Sequence, residues 1–298
     1  MTGKLLDREE YVEQEYFFRV YRERLLEGVP SQEILQTVHE EILATTRLPM
    51  AIDFMRAEIL HSGRICNAME RLGHYFTPFQ SFVMRRCEDE EARFEQITAL
   101  RILELEARYR IDAPRPAGLF IYQLECVARN RLGYTDGLRA IAEDPLYPTE
   151  WRRWILRMRG DLGTLELGDL IYRVSEHADH RPRSMRPGPD APAADNPEKT
   201  SSALFGEQEG RIAKANIGRD PLFLFAALQR HLNYPSVPRL KATDTDQKLP
   251  GFLELRLQRI EQKLKVMEME TRGGIDLSRF YRKSDQPPDF SQQDLPRS

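Results

Sequence analysis

Cysteine is scarce in this sequence, with three residues in 298, and Cys66, Cys87 and Cys126 are odd in number, far apart and without CxxC pairing. That excludes a disulfide framework and a zinc cluster of the usual spacing, and points to a reducing compartment. Long apolar runs are also missing. The most apolar stretch, Leu222 to Leu228, is bounded by Asp220 and Arg230 and falls far short of the ~20 residues that cross a bilayer. Charge of one sign is lacking too, because 44 basic side chains meet 47 acidic ones for a net charge of −3. No global field then draws the chain to nucleic acid or anionic lipid, and nucleic acid is not an expected partner. The N-terminus reaches the charged run Asp7 to Glu10 almost at once, without the apolar core of a secretion signal, so a cytoplasmic location is expected.

Familiar nucleotide and nucleophile motifs are absent as well. There is no Gly-x-x-x-x-Gly-Lys-Ser/Thr loop and no Gly-x-Gly-x-x-Gly, so the backbone turns that cradle phosphates in common nucleotide folds are not expected. No Gly-x-Ser-x-Gly elbow occurs, and Cys66 and Cys87 fall on helix stripes where thiols act as packing atoms. No repeat of fixed period appears, which argues against a solenoid.

What the sequence does hold is helical periodicity. With 41% hydrophobic and 31% charged residues, it has the mix of long amphipathic helices. A first helix is expected from a cap at Asp7 to a stop at Gly28, with Tyr11, Phe18, Tyr21 and Leu25 inward. A second follows from a cap at Ser31, burying Leu35, Val38 and Ile42. Steps of three and four from Met50 to Phe76 predict a third, and a capping box at Thr77, Pro78 and Gln80 opens a fourth reaching Arg110. Shorter helices follow, broken at Gly133, Pro145, Pro148, Gly160 and Gly163. Leu165 to Ser175 is compatible with helix or strand, and helix is favoured.

The expected architecture is all-α. A helical bundle over 1–176 is joined by a Pro-rich flexible linker, 177–202, to a small helical module over 203–283, and a disordered tail occupies 284–298. Asp220 and Pro221 open one helix of that module and a second spans about Gly251 to Thr271.

Three constellations could carry function. Glu58 and His61 form a Glu-x-x-His pair one turn apart on one helix face, as carboxylate-bridged metal bundles use. Glu90 falls on the apolar side of the fourth helix, and His39 and Glu41 flank the stripe of the second, so these five residues are the candidate metal ligands. A ferritin-type two-metal site needs a second Glu-x-x-His, which the chain lacks. The second constellation runs from Trp151 to Arg159, with Trp151, Trp154, Ile155 and Met158 on one face and arginines on much of the rest. It reads either as a core helix or as a surface for membranes or phosphates. The third is the four-three spacing of Leu253, Leu257, Ile260, Leu264 and Met267, the pattern of a helix that binds a protein partner, self-associates or folds back onto the first domain. The expected function is that of a helical interaction or scaffold protein, with a metal-dependent, oxidase-like bundle enzyme as the alternative.

Overall fold

The computed structural model describes residues 5–89, 94–179 and 203–239. Among them lie thirteen α-helices and no β-strand, only two isolated bridges, Leu162 with Leu165 and Ser175 with Phe205. The all-α expectation holds. The chain divides into two compact units, Met1–Leu240 and Lys241–Ser298. The second unit, including the helix expected over 251–271, its stripe and the tail, lies outside the described residues.

Helix α1, Arg8–Leu26, begins after an extended Asp7 whose side chain makes no capping hydrogen bond. Its end is a Schellman turn. Gly28 adopts φ +83°, and the Gly28 and Val29 amides donate to Leu25 and Arg24 carbonyls at 3.1 Å. Helix α2, Ser31–Glu41, starts one residue earlier than a Ser31 cap would allow, with Pro30 at the cap position, and buries Ile34, Leu35 and Val38.

The long helix expected from Met50 to Phe76 is broken in two, α3 (Leu48–Ser62) and α4 (Cys66–Arg71). Gly63, at φ +70°, terminates α3 in the left-handed region. The next amides are claimed from a distance, since the Glu88 carboxylate accepts from Ile65 N at 2.7 Å and Cys66 N at 2.9 Å. The expected fourth helix divides likewise into α5 (Pro78–Glu88) and α6 (Gln96–Ile111). Its start is as expected. Gln80 N donates to Thr77 Oγ1 at 3.3 Å and Thr77 N to Gln80 Oε1 at 3.1 Å. Its early end follows from the run Glu88-Asp89-Glu90-Glu91, four acids where the helix dipole is negative and like charges would stack.

Helices α7 (Pro116–Arg129), α8 (Tyr134–Ala142), α9 (Thr149–Asp161), α10 (Leu167–Arg173) and α11 (Glu176–Asp179) complete the first run, with breaks at Gly133, Pro145, Pro148 and Gly163 as expected, whereas Gly160 is carried inside the last turn of α9. The segment favoured as helix over 165–175 is α10. His177, Ala178 and Asp179, placed at the head of the linker, belong to α11, and residues 180–202 lie outside the described set.

After that gap come α12 (Glu207–Ala215), which the periodicity did not reveal, and α13 (Pro221–Leu232), opened by Asp220 as expected through its side chain on Leu222 N at 2.8 Å. Residues 203–239 are built into the first unit. Glu176 N donates to Phe205 O at 3.0 Å, and the Phe205 ring lies 5.0 Å from Trp151 and 5.5 Å from Trp154. Helix α13 packs on α7, Tyr109 donates to Leu232 O at 3.0 Å, and Asn130 donates to Pro238 O at 3.1 Å. One apolar core runs from Phe17 through Phe120 and Trp151 to Leu228 and Tyr234.

Candidate functional site

Helix α9 answers the ambiguity of Trp151 to Arg159 by facing both ways. Trp151, Trp154, Ile155 and Met158 are buried. The Phe120 ring sits 5.7 Å from Trp151 and 5.1 Å from Trp154, so the tryptophans anchor the helix in the core. The opposite side presents Leu156, 41% exposed. Around it, at i±3 and i±4, stand Arg152, Arg153, Arg159 and Gly160, with Arg157 alongside. Arg152, Arg153 and Arg159 form no ion pair with another described residue. The helix thus carries guanidiniums around one exposed leucine, on a backbone fixed from beneath by two indoles.

The four described members of the five candidate metal ligands do not gather at one site. Glu58 is buried on α3 and accepts from Arg71 Nη1 at 3.1 Å. His61 is exposed in the last turn of the same helix. His39, on α2, meets Asp53 at 3.3 Å. Asp53 precedes His61 by eight residues, ~12 Å along the axis at 1.5 Å per residue. Glu41 accepts from Tyr16 Oη at 2.8 Å and from Arg24. The hydrogen bond from Arg24 holds its carboxyl below the usual range, and the Tyr16 phenol is raised in turn by its bond to Glu41. Glu90 lies outside the described residues. Among those described, no three His, Cys, Asp or Glu side chains gather to hold a metal.

The thiols are poor nucleophiles. Burial pushes Cys66 up to about 12, helped by its hydrogen bond to the Glu88 carboxylate, and burial likewise raises Cys87 and Cys126.

The densest polar cluster was not foreseen from sequence. Arg110 on α6 is buried between Asp144 and Glu106, donating from Nη2 to Glu106 Oε1 at 2.9 Å and making a close pair with Asp144. Gln123 on α7 donates to Glu106 at 2.8 Å and to Asp144 at 3.3 Å, and Tyr147 donates to Gln123 Oε1 at 2.8 Å. Burial opposes the Arg110 charge, yet the two carboxylates outweigh it and raise its pKa well above the ordinary value. A second cluster on α6 sets buried Glu104 against Arg22 at 3.0 Å, with Arg101 and Arg108 around it. These charges are consumed in fastening α6 to its neighbours. A faint signal was present: Glu104 and Glu106 sit between Leu103, Leu105 and Ala107, an alternation no one-sided helix needs.

No family model, curated protein or solved structure matches this chain. Among the described residues no helix is long and apolar enough to cross a membrane. The arginine face of α9 is therefore weighed on its own chemistry. Planar guanidiniums on a rigid helix suit bidentate pairing with carboxylates, and the leucine among them supplies an apolar contact.

Proposed function

We infer that this chain is a helical interaction protein whose partner is a protein with an acidic surface. The observation that carries the reading is the outer face of α9, where exposed arginines surround Leu156 while the inner face is locked into the core. Arginine is favoured in contact surfaces because it pairs bidentately and gives up less hydration than lysine. A net charge of −3 and the apolar centre of the patch favour a protein over a nucleic-acid backbone. The stripe Leu253, Leu257, Ile260, Leu264 and Met267 is proposed as a second contact, through which the chain self-associates or grips the same partner.

The test is affinity capture from the source cells with native chain and with Arg153→Glu/Arg159→Glu, both after nuclease treatment. The reading expects a protein retained by the native chain, lost with the charge-reversed one, and released as salt rises. It fails if no captured protein distinguishes the two. For the stripe, sedimentation of Leu257→Glu/Leu264→Glu reads self-association: a native dimer that becomes a monomer supports it, and unchanged mass and melting remove the stripe from the proposal.

A further inference from the structure

Helix α3 has the composition of a buried helix and the position of a surface one. Apart from Asp53, Arg56, Glu58, His61 and Ser62, its fifteen residues are apolar. They lie all round the axis, a pattern that calls for cover on every side. The inner side has that cover, since Leu48, Ala51, Ile52 and Met55 are buried where α3 meets α1, α2 and α4. The outer side does not. Met50 and Leu60 are 75% and 72% exposed, the two highest values among the large hydrophobic side chains described. Ala57, also exposed, lies between them on that side, and Phe54 is half-buried beside it. Single exposed hydrophobics are ordinary on a surface, but here they line ~15 Å of one helix.

The charged groups of this side are arranged to match a second copy of themselves. Asp53 stands one turn before Ala57 and His61 one turn after, with Arg64 just beyond the helix end. His61 and Arg64 form no ion pair with a described residue, whereas Asp53 meets Arg56 at 3.2 Å and His39 at 3.3 Å. A carboxylate thus marks one end of the face and two uncommitted bases mark the other. We propose that the chain forms a two-fold dimer through this side of α3, the two helices antiparallel about an axis at Ala57. That arrangement sets Asp53 opposite the partner's His61, Phe54 opposite the partner's Leu60, and Met50 over the aliphatic stem of the partner's Arg64, each contact made twice. The methyl group of Ala57 lets the helices approach at the axis, and a parallel pair would instead set like charge against like. Because Arg56 and His39 already share Asp53, the crossed charges fix orientation while the apolar contacts supply most of the affinity. The contact uses neither α9 nor the 253–267 stripe, so it stands or falls apart from the acidic partner.

A residue on a two-fold axis meets its own copy, so Ala57→Cys tests the geometry directly. In the full chain, mild oxidation with diamide should link Ala57→Cys into a covalent dimer and should not link Asp136→Cys, an exposed position on α8. The native thiols, buried or half-buried, give a low background. Sedimentation equilibrium is run in the Leu257→Glu/Leu264→Glu background, so that the stripe contributes no association. There the chain should be a dimer, and adding Met50→Glu/Leu60→Glu should make it a monomer. Asp53→Lys alone and His61→Asp alone should each weaken dimerisation about tenfold or more by opposing like charges, and the two together should restore it. The proposal is overturned if Met50→Glu/Leu60→Glu leaves a dimer, if Ala57→Cys links no better than Asp136→Cys, or if the double exchange recovers no affinity. It is overturned as well if the background chain is a monomer. Lower melting with Met50→Glu/Leu60→Glu would then mean that the face is covered within one molecule, and unchanged melting that it stays bare. Circular dichroism of each variant confirms that the fold is retained in every comparison.

Discussion

Arg110 shows how a single side chain can be held in the interior by its surroundings. Its guanidinium neutralises one of two adjoining carboxylates, Asp144 and Glu106, and Gln123 ties both acids together. Replacing it, as in Arg110→Met, leaves two buried acids facing each other and should destabilise the fold by about 3–5 kcal/mol in urea denaturation at neutral pH. The deficit should shrink in acid, because protonating one of the freed carboxyls removes the repulsion that the arginine suppressed. A deficit independent of pH would mean that packing, not charge, sets the role of Arg110. The thiols make a prediction of opposite sense. Cys66 ionises at about 12 in the folded chain against an ordinary 9, so the unfolded chain loses its proton first. The stability tied to this thiol is complete below about pH 9 and is lost as pH climbs toward 12. Cys66→Ala should show a shallower alkaline fall in stability than the native chain, measured in urea across that range.

At the level of elements, most of what was legible in the sequence was local. Caps made of neighbours in sequence could be read at Thr77 with Gln80, at Asp220 on Leu222 and at the Gly28 turn, though not at Asp7, whose side chain makes no capping bond, or at Ser31, where Pro30 takes the cap position. Caps supplied from afar could not. Glu88 seats the start of α4 from 22 and 23 residues away, and Glu10 accepts from Arg47 N at 3.1 Å just before α3. Periodicity runs through such points unbroken, which is why Met50 to Phe76 and Thr77 to Arg110 each read as one helix although Gly63 and the acidic run divide them. Helix α6 misled in another way: its apolar side is only part of its buried surface, because α1 packs on it as well as α5 and α7. As to the site, the dual character of α9 was visible, but the exposure of its arginines was not. The two cap types can be compared directly. Thr77→Ala should cost about 1 kcal/mol, the usual value for a local cap. Glu88→Ala should cost more, since it leaves two backbone amides without their charged acceptor and loosens α4 against α5. Equal losses in chemical denaturation would mean that the remote cap holds nothing beyond its own hydrogen bonds.

Across the whole molecule, the decisive segment is 203–239, which follows the Pro-rich stretch yet fills the core of what precedes it. Phe205 is buried against Trp151 and Trp154, and Leu224, Phe225, Leu228 and Leu232 of α13 are buried in the same cluster as Phe120 and Leu124. Polar contacts reinforce the closure, with Tyr234 donating to the buried Glu125 at 2.6 Å. A chain ended at 179 would therefore expose two tryptophans and strip the outer side of α7, at ~25 cal/mol for each Å² of apolar surface uncovered. A chain ended at 240 retains every one of these contacts and coincides with the end of the first compact unit. The 1–240 fragment should melt cooperatively near the temperature of the full chain, and the 1–179 fragment should melt far lower or bind a hydrophobic dye while still helical. Adding residues 203–240 as a separate peptide should raise the melting of 1–179 in a concentration-dependent way, as expected when a missing part binds the folded state. Phe205→Ala in that peptide should abolish most of the rescue, because the ring between Trp151 and Trp154 is the contact that the two pieces share at the centre of the cluster. If 1–179 melts like the full chain, the segment beyond the Pro-rich stretch is an appendage, and the core drawn through Phe205 and α13 contributes nothing to stability.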